Sequence, residues 1–314
     1  MRKLYPKELW TIEKLRGALR RHPRYKKSCV VYEDKKEFTE ADVGTYIQTM
    51  KAFQKAGEKL NKRQTKATLR IADNKPVAIT WWSDWHIGAM GTDYEQFEKD
   101  LKVIEETDGL YFIGGGDYKD NYITGTHAGG GFEQAIQPGQ QDLVVKHYMT
   151  KVADKCLALV RGCHDDWDKK MGDKDFIQTL CDATDSINLW HGGDLYIKIG
   201  EQEYHFKCRH KYKFESSLNT LNSMRRIMEV QGPCDVAMVA HLHNPDREDR
   251  HLMGQMRTLL RGGSYKVWDE FGQKLAGYKG KMGVPAIIIY PGEKKHISFI
   301  NLQDCVTYLQ AIRS

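Results

Sequence analysis

Asp84 and His86 are the first residues of the chain whose types and spacing suit chemistry. They stand in the stretch Ile79 to Gly88, Ile-Thr-Trp-Trp-Ser-Asp-Trp-His-Ile-Gly, where an apolar, β-prone run ends. Residues i and i+2 of a strand point to the same face, so the two side chains can aim at one point as the strand ends. A carboxylate and an imidazole held together suit a divalent transition metal. On its own, Asp-x-His is more typical of a surface pair beside a core strand, so the residues downstream decide between the two interpretations.

Four further polar blocks follow, and each comes directly after an apolar run that predicts a strand. The blocks are residues 116–121 (Gly-Asp-Tyr-Lys-Asp-Asn), 162–165 (Gly-Cys-His-Asp), 209–211 (Arg-His-Lys) and 241–245 (His-Leu-His-Asn-Pro). A histidine beside a carboxylate, as at His164 and Asp165, is a candidate general acid with an orienting partner. Two histidines at i and i+2, as at His241 and His243, indicate a metal site. A single block of this kind is more often a polar turn.

The order of the five blocks, their spacing and their strand-end placement resemble the calcineurin-like metallophosphoesterase superfamily over roughly residues 77–245. The run Gly-Gly-Asp-x-x-Asp-Asn and the later Arg-His-Lys-Tyr are most similar to the bacteriophage-type members. The resemblance implies an α/β fold of two packed mixed β-sheets flanked by helices. It also implies a site for two metal ions at the C-terminal ends of the strands.

The resemblance further implies a role for each residue of that site. One metal would be held by Asp84, His86 and His243, and the other by Cys163, His210 and His241, with Asp117 bridging the two. A hydroxide between the two ions would attack the phosphoester. His164 would donate a proton to the leaving oxygen or stabilise the charge that develops there, and Asp165 would orient His164.

Four further residues are candidates to bind the substrate. They are Asn121, His127, Arg209 and Lys211. The two cations would add to a positive field that attracts a phosphate, although charged residues at a strand end are equally typical of a solvated surface.

Cys163 departs from the family pattern, which has Asn before the histidine of this block. A thiolate is softer and more negative than an amide oxygen and favours zinc or iron over manganese. The alternative is that Cys163 does not ligate and the second metal binds weakly. We expect two divalent ions as cofactors, manganese first, with Zn²⁺ or Fe²⁺ favoured by the thiol. The Arg that protein Ser/Thr phosphatases carry after the second and third blocks is absent, which weakens a protein-phosphatase interpretation.

Charge divides the chain into two parts. Residues 1–75 contain 20 Lys/Arg and 9 Asp/Glu, a net of +11, whereas the whole chain is +6 and residues 76–314 therefore sum to −5. We expect a basic, mainly helical N-terminal segment over residues 1–75 and a metallophosphoesterase domain over residues 76–314. Helices are predicted over 7–21 and from Thr39 to about Leu60, with a polar linker over 61–75. The basic segment indicates nucleic acid as a partner, and a solvated face is the alternative.

Composition excludes two classes of protein. No run approaches the roughly 18 apolar residues of a membrane-spanning helix, so no membrane association is expected. The seven cysteines are scattered and odd in number, which argues against a disulfide framework and for a reducing cytoplasm, that of the host for a viral chain. The sequence leaves the oligomeric state open.

The leading functional hypothesis is a dinuclear-metal phosphodiesterase or nuclease that acts on nucleic acid or nucleotides. One alternative is a phosphomonoesterase that acts on a small molecule or phosphoprotein, which leaves the basic segment unexplained. The other alternative is a nucleic-acid-binding protein whose phosphoesterase site is impaired by Cys163.

Overall fold

The computed structural model describes residues 39–60, 64–123, 130–216, 218–252, 254–270 and 282–314. The chain forms two compact units, Met1–Lys62 and Arg63–Ser314. The helix predicted over 7–21 lies outside the described residues. In the first unit, helix α1 spans Glu40–Leu60. Thr39 caps it as predicted, because its hydroxyl accepts the backbone N–H of Asp42 while the Asp42 carboxylate accepts the N–H of Thr39.

The second unit contains two six-stranded sheets. Sheet A has the spatial order β1 (Lys66–Ile71), β6 (Gly192–Ile199), β7 (Gln202–Arg209), β8 (Val236–Val239), β10 (Gln255–Arg261) and β9 (Asp246–Leu252). Sheet B has the order β12 (His296–Phe299), β11 (Ala286–Ile289), β2 (Val77–Trp82), β3 (Leu110–Gly114), β4 (Cys156–Leu159) and β5 (Ile187–Asn188). Both sheets mix parallel and antiparallel pairs.

Helices cover the outer faces of this sandwich. They are α2 (Tyr94–Glu106), α3 (Pro138–Lys151), α4 (Asp165–Gly172), α5 (Phe176–Thr184), α6 (Asn222–Gln231) and α7 (Leu302–Arg313). Apolar side chains of both sheets meet between them, with Trp81 and Phe206 among the largest. A second core lies between sheet B and helices α2, α3, α5 and α7, and a smaller one lies between α6 and strands β8 and β10. The predicted fold of two packed mixed sheets flanked by helices is confirmed.

Parallel pairing brings the predicted polar blocks to one edge of each sheet. Strands β2, β3 and β4 run parallel in sheet B, and β7 and β8 run parallel in sheet A. The carboxyl ends of parallel neighbours lie at the same edge, so the residues that follow these strands come together. All six residues of β2 are buried, because this strand packs against helices on one face and against sheet A on the other.

One sequence-based expectation of the fold needs correction. The predicted linker over 61–75 contains β1, an edge strand that pairs in parallel with β6. Its composition is polar because only alternate side chains face the core, with Ala67 and Ile71 buried. Helix α6 begins at Asn222, after a turn in which the Ser216 hydroxyl accepts the N–H of Asn219. Among the described residues, no helix combines the length and hydropathy needed to cross a membrane.

The position of β1 predicts where the chain can be shortened. A chain that begins at Gln64 keeps β1, whereas one that begins at Pro76 loses the buried Ile71 and the ion pair between Asp73 and Arg313. We expect the shorter chain to lose about 3 kcal/mol of unfolding free energy relative to the chain from Gln64, since each buried aliphatic side chain contributes about 1.5–3 kcal/mol. Urea unfolding followed by tryptophan fluorescence measures this difference. Equal midpoints for the two chains would show that β1 does not stabilise the sandwich.

Candidate metal centre

The backbone at the predicted metal site adopts an unusual conformation. Five of the seven predicted ligands have a positive φ: Asp84 (52°), His86 (48°), Asp117 (54°), His241 (73°) and His243 (54°). Residues other than glycine rarely adopt this left-handed region, and each such residue costs about 1–3 kcal/mol. The turns therefore place these side chains at a cost in stability, which is typical of functional sites.

The first donor group consists of Asp84, His86 and His243. The Nε2 atoms of His86 and His243 lie 3.2 Å apart, and Nε2 of His243 lies 3.3 Å from Oδ1 of Asp84. One donor atom from each residue lies within 4.8 Å of the others. Strands β2 and β8 thus bring these three predicted ligands together from the two sheets.

The second donor group consists of Cys163, His210 and His241, which also place one donor atom each within 4.8 Å of one another. Sγ of Cys163 lies 3.8 Å from Nδ1 of His241. Asp117 joins the two groups, because its Oδ2 lies 3.1 Å from Nε2 of His210 and it forms a third such cluster with Asp84 and His210. Its position agrees with the predicted bridging role. Whether the thiol of Cys163 ligates stays a prediction.

The donor atoms fit divalent metal ions. Oδ1 of Asp84 and Nε2 of His210 are buried and make no hydrogen bond of good geometry within the described structure. Buried polar atoms without partners are costly and are rare in folded proteins. Two imidazole-rich groups that share carboxylates are a donor set suited to zinc, manganese or iron.

The electrostatics of the metal-free site differ from one donor to the next. Burial opposes ionisation of Asp117, but the charges of His210 and His164 outweigh it and hold the pKa of Asp117 well below its usual range. Burial also opposes charge on His210, yet Asp117 raises the pKa of His210 well above its ordinary value. Burial and the charge of His210 lower the pKa of His241 to about 3. His241 is therefore a neutral imidazole at pH 7, whereas His210 carries a proton that a bound metal ion would displace.

A hydrogen bond in one case and a close carboxylate contact in the other lie on the far side of two candidate ligand histidines and orient their rings. Nδ1–H of His210 donates to the carbonyl of Gly115 over 2.8 Å, which turns its Nε2 toward Asp117. Nδ1 of His86 lies 3.2 Å from a carboxylate oxygen of Asp120, which leaves Nε2 for the first donor group. Carboxylates and carbonyls behind ligating histidines fix the ring and the tautomer in this way.

Two buried cations hold the carboxylates behind the histidines, and sequence reasoning missed both. Nζ of Lys266 donates to Asp120 over 3.0 Å, and Lys266 is only 4% exposed. Arg261 is fully buried and donates to the carbonyl of Ala240 over 2.7 Å. Its guanidinium lies 3.5 Å from the Glu215 carboxylate, and that carboxylate lies 3.9 Å from Nε2 of His241. The motif Gly-Asp-x-x-Asp pointed to Asp120, but no local pattern distinguishes Lys266 or Arg261 from surface cations.

His164 lies at the edge of the first donor group, with its ring centroid 4.8 Å from that of His86. Its Nδ1–H donates to the backbone carbonyl of Asp120, so its Nε2 is the nitrogen that is left for a substrate. Burial lowers the pKa of His164 to about 4, against the opposing charge of Asp117. His164 is therefore neutral at pH 7 in the metal-free protein.

The predicted role of Asp165 needs correction. Its carboxylate accepts the backbone N–H groups of Asp117, Tyr118 and Gly162, at 2.8, 3.2 and 2.9 Å. The hydrogen bond that orients the His164 ring comes from the Asp120 carbonyl instead. Burial and the charge of Asp117 raise the pKa of Asp165 to about 7. Asp165 thus ties the turn after β3 to the turn after β4 and acts on the metal centre through its geometry.

Three of the four predicted substrate-binding residues lie in the described structure, and two of them do not face the site. Asn121 is fully buried, and its amide donates to the carbonyl of His164 and to Asp168. Arg209 lies on the opposite face of sheet A and donates to Gln231, because successive side chains of β7 alternate between faces. Lys211 is exposed beside the second donor group. His127 lies outside the described residues.

Two aromatic rings that the motifs did not point to line the site beside His164. The Trp167 ring centroid lies 4.2 Å from that of His164, and the Tyr122 centroid lies 5.3 Å from it. Tyr122 and Trp167 also contact each other. They form an aromatic wall beside the His164 ring.

Comparison with known proteins gives matches among solved structures alone. No protein-family model matches the chain, and no curated protein does. One similar structure is a predicted phosphoesterase from Streptococcus pneumoniae TIGR4, at 14% identity and a TM-score of 0.33, over 71% of this chain and 98% of that one. A second is zinc-complexed Vps29 from Entamoeba histolytica, at 12% identity and a TM-score of 0.37, over 71% of this chain and 98% of that one. A third is the nuclease MPE from Pseudomonas putida, at 14% identity and a TM-score of 0.33, over 70% of this chain and 87% of that one.

The architecture and the site lead to one conclusion. Two mixed six-stranded sheets lie between helices, and five polar blocks in the expected order meet at the ends of their strands. The chain is an α/β sandwich whose strand ends carry the two donor groups, which is the arrangement that the resemblance to the calcineurin-like metallophosphoesterase superfamily implied.

Proposed function

We propose that the protein is a phosphodiesterase or nuclease that uses two divalent metal ions to hydrolyse nucleic acid or nucleotides. The observation that carries this proposal is the pair of donor groups joined by Asp117. When bound, two such ions supply Lewis acidity and an activated water. Manganese is the metal we favour, with zinc or iron as the alternatives that a ligating Cys163 would select.

The residues around the ions suit a phosphoester. Imidazoles outnumber carboxylates in the two donor groups, so the loaded site keeps net positive charge and attracts the phosphoryl oxygens. Lys211 adds positive charge at the exposed rim of the site. A bound phosphate also raises the pKa of His164, because its negative charge favours the imidazolium. In its imidazolium form His164 would carry a proton on Nε2, from which it could pass to the leaving oxygen.

The preference for a diester rests on two features. The wall of Tyr122 and Trp167 beside His164 offers ring faces on which a nucleobase can stack. The basic N-terminal segment offers contacts for a polyanion. A phosphomonoesterase explains neither feature, and a nucleic-acid-binding protein without activity would not need the donor set around Asp117.

The central prediction concerns Asp117. Asp117→Asn removes the charge that both ions share, so we expect manganese-supported hydrolysis of a chromogenic diester to fall by at least about 100-fold. Metal content of the purified variant should fall as well. Assays on a diester, the corresponding monoester, and single- and double-stranded DNA show which substrate class is preferred.

Asp182→Asn is the matched control, because Asp182 is exposed on α5 and away from the metal centre. Near-normal turnover of Asp117→Asn would overturn the bridging role. Faster hydrolysis of the monoester than of the diester by the unmodified protein would favour the phosphomonoesterase.

A second prediction concerns the metal that the second donor group selects. If the Cys163 thiol ligates, Cys163→Asn replaces a soft donor by a hard oxygen and should raise manganese-supported activity relative to zinc-supported activity by about tenfold. Cys163→Ala is the control for ligation, because it removes the thiol donor without adding another. It should weaken the binding of both manganese and zinc. The same metal preference in all three proteins would place the thiol outside the coordination sphere.

A third prediction concerns the basic N-terminal segment, which we propose as a nucleic-acid contact. Each phosphate contact contributes about −0.9 to the slope of log affinity against log salt concentration on duplex DNA. A chain that begins at Gln64 should therefore bind DNA with a shallower salt slope than the full chain and still hydrolyse the small diester. Gel-shift titration at two salt concentrations measures the slopes. Equal slopes would assign the basic residues to a solvated face.

A further inference from the structure

The outer face of sheet A carries a groove that the metal centre does not use. Its volume is about 520 Å³. The side chains that matter for its chemistry are Lys66 of β1, Asp194 and Tyr196 of β6, and His205, Lys207 and Arg209 of β7. They alternate along their strands with Leu195, Phe206 and Cys208, which belong to the core between the sheets. We name this depression the outer groove.

Strand register organises the outer groove into rows. Lys66, Asp194 and Lys207 are direct neighbours across β1, β6 and β7. Tyr196 and His205 form the next row, and their rings stack with centroids 4.4 Å apart and planes inclined by 13°. A row of charge therefore lies beside a row of aromatic surface, on rigid strands.

The charge of the outer groove is positive. Asp194 is the one carboxylate among the described residues that line it. Its oxygen Oδ1 accepts both Nζ of Lys207 and Nε2 of His205, each over 2.6 Å, so the ion pair with Lys207 compensates its charge. Lys66 and Arg209 then remain as the uncompensated charges of the lining.

Arg209 is placed for this groove by its neighbours. Its Nη2 donates to the amide oxygen of Gln231 over 3.2 Å. The aliphatic part of the Arg209 side chain crosses over Gly192. A Cβ added at Gly192 would lie 2.5 Å from Cγ of Arg209. A glycine that makes room for the stem and an amide that holds the guanidinium leave the other N–H groups of Arg209 free to reach an anion.

We propose that the outer groove binds a nucleotide unit of single-stranded nucleic acid. Lys66 and Arg209 would contact backbone phosphates, and the stacked rings of Tyr196 and His205 would meet a base. Cations beside an aromatic row are the combination that single strands use, since their bases expose ring faces that a duplex hides. An acidic peptide would use the cations but would leave the rings without a partner.

The outer groove adjoins the metal centre through β7. Arg209 lines the groove, and the next residue, His210, contacts Asp117. A strand that crosses the carboxyl end of β7 would pass from one site to the other. This inference rests on the proposed function and deepens it, because it names single-stranded nucleic acid as the polymer.

The test measures binding in EDTA, so that it does not depend on hydrolysis. Fluorescence anisotropy of a labelled oligothymidine is titrated with the full chain and with Lys66→Gln/Arg209→Gln, Tyr196→Leu and the control Lys99→Gln/Lys146→Gln. The control removes the same charge from exposed positions on helices α2 and α3, at the other side of the sandwich. Thermal unfolding confirms that each variant is folded.

We expect Lys66→Gln/Arg209→Gln to bind oligothymidine about tenfold more weakly than the unmodified chain. The slope of log affinity against log salt concentration should become shallower by about 1.4, since each single-strand phosphate contact contributes about 0.7. Tyr196→Leu should weaken binding about tenfold at an unchanged slope, because stacking is not ionic. The control should stay within about twofold of the unmodified chain.

Three results would overturn the proposal. They are equal weakening by the groove and control double variants, competition by polyglutamate as effective as that by unlabelled oligothymidine, and equal losses on a duplex of the same length. Absence of hydrolysis with manganese, measured separately, would instead count against the proposed function and leave the binding result standing.

Discussion

The candidate metal centre depends most on the hydrogen bonds that the Asp165 carboxylate accepts. Its two oxygens accept three backbone N–H groups, from Asp117 and Tyr118 after β3 and from Gly162 after β4. A single buried side chain thus fixes the distance between two neighbouring turns. The N–H of His164 in turn donates to Asp117 over 2.8 Å, so one network sets the positions of the Asp117 carboxylate and of His164. Buried networks of this kind are rigid only when every member is satisfied.

Charge compensation explains why so many ionisable groups can be buried together. Asp84, Asp117, Asp120 and Asp165 all lie in a space almost closed to water. Lys266 and Arg261 supply positive charge from one segment, the end of β10 and the turn that follows it, and each faces the carboxylate behind a different donor group. Metal ions would supply the remaining charge. The left-handed turns at the ligands are tolerable because the two cores around them contribute the stability that the turns cost.

Local signals in the sequence located the strand ends and the polar blocks, and the resemblance of those blocks to the metallophosphoesterase superfamily supplied the two-sheet fold and the donor groups. Apolar runs that end in Asp, His or Gly-Asp mark strand ends, and parallel pairing then brings those ends to one edge. The role of Asp165 was wrongly predicted because a neighbour in sequence is not a neighbour in hydrogen bonding: its oxygens face backbone N–H groups that no motif records. Strand β1 was mistaken for part of a linker over 61–75, because an edge strand buries only alternate residues. Lys266 and Arg261 were missed since their partners lie far away along the chain.

Strand β7 shows how one element can serve two surfaces. His210 enters the metal centre while Arg209, one position earlier, points away from it, so the cation that sequence reasoning assigned to the substrate pocket lies on the outer face of sheet A. Alternation along a strand makes this unavoidable: no substitution at position 209 could bring a side chain into the metal centre without shifting the register and removing His210. The positive field at the metals must therefore come from the ions and from residues beyond the strand end, such as Lys211. A substrate that contacted both Arg209 and the metals would have to extend around the end of β7, and a polymer strand has that reach whereas a small phosphomonoester does not.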